Sequence, residues 1–346
     1  MHVRLRATGH GLTTLALALV CTGLNGCAAR SPLLRPSSSP AKINVLRMQV
    51  PERGQLPPLL GRMQRHIVRP QEALLDIARD AGLGFNEVKD ANREVDEWIP
   101  PAGLEVTVPT TWIPPRSTYR GVVINLPEMR LYLFPEKAKP GEEVVVHTWP
   151  VGIGTETRPS PVGPFRITSK DENPTWYVPD SIYRTMDPPK RRVVKPGPDN
   201  PLGAYRLRLS RGLYAIHGTN IGWSIGRLTT HGCIRLYPED IGELFRMVRI
   251  GTTGQLLYEP IKLGESGGEI YVEVHEDIYG RIRKPERVAL DLARDARVLD
   301  RIDTDLLLQA VREKLGVPVV VTRRARAHDP SRVTRTSIVN CCSASP

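Results

Sequence analysis

The 346-residue chain predicts a mainly β protein: a β-sandwich-like central domain, a small α+β unit before it and an α/β accessory region after it. Three observations predict this. The chain has 32 prolines, which argues against a helix bundle because proline inside a helix removes a hydrogen bond and clashes with the preceding turn. From Tyr119 to about Glu259, short apolar runs alternate with Gly and Pro clusters, the texture of strands and turns. Helical spacing appears mainly in two flanking stretches and once inside that span. The formal net charge is +11. No arginine cluster is interleaved with aromatics, so nucleic acid is not the expected partner. A basic surface suits an anionic polymer or a membrane.

The elements follow in order. Residues 1–26 read as an export signal, with Arg4 and Arg6 ahead of the apolar run "GLTTLALALVCTGLNG", too short for a stable membrane span. The run ends in "LNGC", Leu24 to Cys27, which resembles the lipobox of bacterial lipoproteins, with Asn25 as a departure. That resemblance implies a lipidated Cys27 and a periplasmic protein that meets the membrane only through its lipid anchor. Ala28 after the cysteine favours the outer membrane. An ordinary cleaved signal peptide is the alternative. Residues 27–62, rich in Pro and Ser with no sustained period, read as a flexible tether.

Residues 63–110 read as strand, helix, helix, strand. His66–Arg69 is a short strand, and Ala73, Leu74, Ile77 and Ala78 share one helical face. Phe85–Asn92 is a second helix, and Leu104–Val108 alternates as a strand. The stretches "HIV", "LLDIA", "AN" and "VTVP" resemble a LysM domain, which implies contact with the N-acetylglucosamine backbone of peptidoglycan. "RPQEAL" departs from the Gly-Asp-Thr-Leu turn usual there, and a bare spacer is the alternative reading.

Residues 119–260 form the central domain. Val122–Leu126 and Arg130–Phe134 flank a Pro-Glu turn, and "EEVVVHTWPVGIG", "GPFRITSK", "AYRLRL", "YAIHGT" and "GQLLYEP" supply further strands. Its helix is Pro238–Gly251, with an apolar stripe of Ile241, Leu244, Phe245 and Val248. Residues 265–325 then read as the accessory region: a hairpin, two amphipathic helices broken near Ile302, and the strand "VPVVVTR". Residues 326–346 are a polar, loose tail.

Cysteine usage points to the chemistry. Of the five cysteines, Cys21 and Cys27 lie in the export segment and Cys341 and Cys342 in the tail, so Cys233 stands alone in the folded middle. Exported proteins usually pair their cysteines. A lone thiol there is a leftover or a nucleophile, and its surroundings are "AIHGTNIGWSIGRLTTHGCIRL", with two His-Gly pairs. A thiol attacks as thiolate and needs a base or cationic neighbour, which His217 or His231 can supply. Gly232 lets the backbone approach a substrate. The amides of Gly232 and Cys233 can face the oxyanion of a tetrahedral intermediate. Arg235 suits a carboxylate ligand or, equally, a structural ion pair.

Two other chemistries are weaker. "VGIGTETRPSPVG" has Gly152-x-Gly154 after a strand, but Thr157 stands where a dinucleotide site needs its third glycine, and prolines forbid the following helix. His217, His231 and Cys233 could hold zinc, yet no paired CxxC or acid cluster supports it. No metal or other cofactor is expected.

"HGTNIGWSIGRLTTHGCIRL" resembles the signature of the L,D-transpeptidases with a YkuD-type catalytic domain. "SPVGPFRI", "NPTW" (Asn173–Trp176) and "PGPDNPLGAYRL" add to the likeness, while Thr230 replaces the commoner Ser and "RPSP" (Arg158–Pro161) the usual Thr-Pro-Thr-Pro. The resemblance implies Cys233 as acyl-accepting nucleophile and His217 as general base, the other nitrogen of His217 held by a carbonyl near Gly218. His231, Gly232 and the Cys233 amide would form the oxyanion region, with Gly218 and Thr230 in support. Arg235, Trp176 and Thr219 would touch substrate. His66, His147 and His275 belong to no motif and read as structural. The implied partner is peptidoglycan, with an outer-membrane lipoprotein or other protein as a further acyl acceptor. Hydrolysis by the same thioester and a non-catalytic wall-binding role remain the alternatives.

Overall fold

The structure, a computed structural model, describes residues 39–184 and 191–323. The stretch expected to be an export signal, Cys27, and the tail with Cys341 and Cys342 lie outside the described residues.

At the centre is a nine-stranded mixed sheet. Its strands, in spatial order, are Val45–Gln49, Glu143–Pro150, Arg130–Phe134, Gly121–Asn125, Thr253–Leu257, Gly163–Glu172, Tyr205–Leu209, Ala215–His217 and Ile234–Arg235. Gly121–Asn125 runs parallel to Thr253–Leu257, and Ala215–His217 parallel to Ile234–Arg235. Gly163–Glu172 turns the sheet. Its first residues pair with Thr253–Leu257, those from Ile167 on pair with Tyr205–Leu209, and the register shifts between Ile167 and Ser169. The two halves share one core. Val122, Ile124 and Leu131 come from one, Leu207, Ile216 and Ile234 from the other, with Ile241 and Leu244 of the helix Pro238–Met247. This is the expected sandwich-like arrangement.

The first half of the sheet is covered on both faces. Successive strand residues point to opposite sides, so Val122 and Ile124 enter that core while Val123 joins a second one. Every residue of Gly121–Asn125 is therefore buried, which explains an unbroken apolar run. Within the second core, Val123, Tyr132, Phe134 and Val146 pack with Leu74, Ile77, Leu83 and Val88. The latter come from the N-terminal unit, where Gln64–Ile67 pairs antiparallel with Glu105–Val108 around the helices Leu74–Asp80 and Phe85–Asp90. The order strand, helix, helix, strand is as expected, with the first strand lying two residues earlier, at Gln64–Ile67 rather than His66–Arg69.

A buried ion pair fastens this unit to the sheet. Arg130 donates from Nε and Nη2 to the two carboxylate oxygens of Glu87 at 2.9 and 2.7 Å. Trp112 Nε1 and the Gly84 amide also donate to Glu87, at 2.8 and 2.7 Å. Arg130→Met should destabilise the protein by about 3–5 kcal/mol, because it strands a buried carboxylate. Denaturant unfolding checks this, and a loss below about 1 kcal/mol would show that Glu87 finds other compensation.

The expected tether is corrected for its second half. Val45–Gln49 is an edge strand of the main sheet, and Leu60–Gly61 pairs with Thr111–Trp112. Leu46, Met48 and Val50 are buried, with Val45, Arg47 and Gln49 exposed. That alternation is a strand signal, masked by the surrounding Pro and Ser.

The accessory region starts earlier than expected, with the hairpin Ile261–Ser266 and Glu269–Val274; Val319–Val320 adds a third strand. Helices Pro285–Asp295 and Thr304–Glu313 supply Ala289, Ala293, Leu307 and Val311 to its own core. Asp303 caps the second helix by accepting from the Asp305 and Leu306 amides, which accounts for the break near Ile302.

Candidate active site

Strand register assembles the site. Ile216 lies opposite Leu207 on one side and Ile234 on the other, and all three enter the core. Ala215 and His217 must then point to the other face. There Arg208 lies opposite Ala215, and Arg206 and Arg235 lie opposite His217. Cys233, directly before Ile234, shares the face of Arg235 and His217 by the same alternation. Of the two histidines, His231 is exposed and lines the cavity described next, while His217 is buried outside its lining.

Part of this face lines a cavity of about 610 Å³, to which Ala215 contributes but His217 and Arg235 do not. Cys233, Arg206, Arg208, His231 and Arg158 line it, with Trp176, Tyr177 and Ser181 among its walls. The walls come partly from the hairpin of Trp176–Tyr177 with Val193–Val194 and from the short helix Asp180–Tyr183.

His217 is buried, and its Nδ1 lies 2.6 Å from the Gly218 carbonyl oxygen. A carbonyl only accepts, so Nδ1 carries the proton and Nε2 presents a lone pair. Burial, aided by the charges of Arg235 and Arg206, pushes the His217 pKa down to about 3 against the opposing Gly218 bond. Burial also pushes the Cys233 thiol up, though the Ala215 backbone and the charges of Arg235 and Arg206 oppose it. The resting pair is therefore a neutral thiol and a neutral imidazole. No direct thiol–imidazole hydrogen bond forms among the described residues; Sγ lies 4.0 Å from the Leu213 carbonyl oxygen. Such contacts commonly tighten only when substrate binds.

The turn before the cysteine is fixed by contact on every side. Gly232 has φ +100°, and a Cβ there would come within 2.5 Å of the Tyr214 ring and 3.2 Å of the Pro159 carbonyl oxygen, so only glycine fits. Thr230 Oγ1 donates to the Cys233 carbonyl at 2.7 Å and accepts from the Gly232 amide at 3.0 Å. This corrects the expected oxyanion region: the Gly232 N–H is already engaged, leaving the Cys233 N–H and the exposed His231 ring as the candidate donors. Burial and the charges of Arg158 and Arg235 lower the His231 pKa.

Thr219 is also corrected. It is buried outside the cavity lining, and its Oγ1 accepts from the Ile221 amide at 3.0 Å. Arg235 has no carboxylate partner among the described residues, and its Nε is buried without a hydrogen bond, which removes the structural ion pair. His66 and His275 each meet a carboxylate, Glu72 at 2.8 Å and Glu273 at 2.7 Å, and His147 stacks on Trp149. Among the described residues, the one converging group of potential metal ligands is Glu128, Glu273 and His275. Lys262 Nζ already sits 2.7 Å from Glu128 and 2.8 Å from Glu273, so an ammonium fills that centre.

Sequence reasoning missed two tyrosines. Tyr214 walls the cavity against Gly232. Tyr279, from the accessory region, donates to the Gly154 carbonyl at 2.8 Å and accepts from the Ser160 amide at 3.2 Å. It thereby closes the neck of the loop carrying Arg158 and Pro159. No sequence signal links position 279 to that loop. Gly154 itself belongs to a short strand parallel to Leu228–Thr230, which gives the apparent Gly-x-Gly motif its structural role.

Residues 119–261 match the family of YkuD L,D-transpeptidase catalytic domains. The chain is 35% identical over 253 residues, 70% of its own length and 81% of the relative's, to the probable L,D-transpeptidase YbiS of Escherichia coli strain K12. It is 33% identical over 289 residues, 78% of its length and 88% of the relative's, to the probable L,D-transpeptidase YcfS of the same strain. The solved catalytic domain of the E. faecium L,D-transpeptidase aligns at 22% identity and a TM-score of 0.30, covering 41% of this chain and all of that one. The chain belongs to the YkuD-type L,D-transpeptidase family. It carries that family's catalytic domain between an N-terminal strand–helix–helix–strand unit and a C-terminal α/β region.

Proposed function

We propose that the protein is a cysteine-dependent peptidoglycan L,D-transpeptidase, held in the periplasm by a lipid on Cys27, with the outer membrane as its favoured site. The observation that carries this reading is the parallel register of Ala215–His217 and Ile234–Arg235. Strand alternation supports a shared face for Cys233 and the buried His217, whose Nδ1 carries the proton, and Cys233 itself lines a cavity large enough for a peptide stem. The tetrapeptide stem places its diaminopimelate carbonyl over Cys233. His217 Nε2 takes the thiol proton as Sγ attacks, and the oxyanion meets the Cys233 amide and His231. The imidazolium then protonates the departing amine, D-Ala leaves, and a thioester remains. An amine attacks that thioester, its proton passing through His217, and a new amide forms with the thiol restored. The acceptor is a second stem's diaminopimelate or a lysine of a protein being anchored. Glycan contact by the LysM-like N-terminal unit is part of the same proposal.

Intact-protein mass tests it. Full-length protein in detergent, mixed with a tetrapeptide-stem muropeptide, should gain the mass of the stem less D-Ala, and Cys233→Ala should gain nothing. Cross-linked, protein-linked or trimmed products then choose among transpeptidation, anchoring and hydrolysis. Absence of both adduct and D-Ala release, with the thiol reduced and the protein folded, leaves a wall-binding role. Tyr279→Phe should lower kcat/KM by about 10-fold through loss of two hydrogen bonds at the loop neck. Steady-state D-Ala release with unchanged kcat/KM would show that the loop needs no such tie.

A further inference from the structure

Three guanidinium groups, those of Arg158, Arg206 and Arg208, line the cavity with Cys233, and among the described residues one carboxylate answers two of them. Arg206 Nε and Arg208 Nε lie 2.9 and 3.6 Å from the same oxygen of Asp171. Arg235 has no such partner, as described above. Arg158 has none among the described residues either; its guanidinium makes a single long hydrogen bond, Nη1 to the Ser181 carbonyl oxygen at 3.3 Å. Among the described residues, no Asp or Glu lines the cavity. A half-buried, unpaired arginine at a concave wall raises the local concentration of anions and offers a forked donor to a carboxylate.

Arg158 is also held in place. Its amide donates to the Thr155 carbonyl at 3.1 Å, and its loop is closed at the neck by Tyr279 and by Ser160 Oγ, which accepts from the Gly154 amide at 3.0 Å. The guanidinium therefore projects from a fixed support into the wall beside His231. A surface arginine on a free loop would lack both features.

We propose that Arg158 is a specificity-determining residue that binds an ionised carboxylate of the donor stem, namely the far carboxylate of the diaminopimelyl residue. This rests on the functional reading above. The assignment to that group follows from connectivity: it belongs to the same residue whose carbonyl must reach Cys233, and Cys233 and Arg158 line one cavity. The enzyme therefore selects stems with a free acid at that position and discriminates against stems amidated there, because a carboxamide brings neither charge nor two acceptor oxygens.

The test compares three tetrapeptide stems: unmodified, amidated at the far diaminopimelate carboxyl, and amidated at the glutamate carboxyl. Full-length wild type, Arg158→Gln and Arg158→Lys are assayed for D-Ala release. Stem affinity is measured separately by calorimetry on Cys233→Ala with and without Arg158→Gln. Diaminopimelate amidation should cost the wild type about 10- to 100-fold in kcat/KM and in affinity, the range for losing a charge-assisted pair. Arg158→Gln should bring the free-acid stem down to the level of the amidated one, which itself changes little, and Arg158→Lys should fall between. Equal losses on both stems, or discrimination that survives Arg158→Gln, overturn the proposal. Loss confined to the glutamate-amidated stem overturns the choice of carboxylate. If no stem releases D-Ala, the catalytic reading fails while the affinities still decide the role of Arg158; no binding of any stem defeats both.

Discussion

Cys233→Ala is expected to reduce turnover by on the order of 10⁴- to 10⁶-fold, the loss seen when a covalent nucleophile is removed from a group that acts as a unit. The fold should survive. Cys233 is a partly buried side chain at a cavity wall, its neighbours Gly232 and Thr230 hold the turn without the sulfur, and its deletion opens no core. Thermal unfolding of the variant should therefore stay close to that of the wild type, while the adduct and D-Ala release disappear. The electrostatics add a second expectation. Burial raises the thiol pKa and a neutral His217 stands by. Alkylation of Cys233 by iodoacetamide should thus climb with pH beyond the usual thiol range near 8.5. A rate that is flat from acid to neutral pH would mean a preformed thiolate–imidazolium pair and would sink the neutral resting state. Retained D-Ala release in Cys233→Ala would sink the nucleophile assignment itself.

His217→Gln should lower kcat/KM by roughly 10²- to 10⁴-fold, the usual contribution of a general base. Glutamine can still donate towards the Gly218 carbonyl but offers no basic nitrogen to the thiol. Thioester formation should fall accordingly, and raising the pH should recover part of it by making thiolate without help. An undiminished rate at neutral pH would assign the base elsewhere, with His231 the next candidate. The same variant reads out stability. His217 is pushed down to about 3 in the folded protein and titrates near 6.5 when unfolded, on the order of the free side chain. The neutral folded form is fully favoured above about pH 6.5, and that contribution is lost as pH falls towards about 3, at up to roughly 1.4 kcal/mol per pH unit. Asp90 and Asp240, both pushed up to about 6 by burial, act in the opposite direction at mildly acid pH. Their effects cancel in the difference between wild type and His217→Gln, which should widen in favour of the variant on acidification. A difference independent of pH would mean that His217 titrates normally in the fold.

The site was legible where chemistry is written in consecutive residues. "THGC" puts a thiol, a glycine that can adopt positive φ and a hydroxyl that can brace the turn within four positions, and each does so in the structure. His217 was reachable because its strand ends in His-Gly and its core neighbour Ile216 fixes which way it points. Thr219 shows where this stops: two positions beyond His217, it turns away and serves the local backbone. The tether shows the converse, with Leu46, Met48 and Val50 alternating inward beneath a Pro- and Ser-rich composition. Arg206 and Arg208 stood in plain view in "YRLRL", and their common face was predictable, but not that this face meets Cys233.

The sequence by itself determined the mainly β class and the family, and it singled out Cys233 and His217 as candidates, because each rests on local periodicity or on a short run with chemical meaning. Tertiary structure alone decided the rest. It engaged the Gly232 amide with Thr230, left Arg158 and Arg235 without a carboxylate partner among the described residues, and brought Tyr279 across to the loop at Gly154 and Ser160. It also locked the N-terminal unit to the sheet through Arg130 and Glu87, 43 positions apart. These features depend on which groups find partners once water is excluded. That is settled by contacts between distant segments and leaves no periodic trace in the chain.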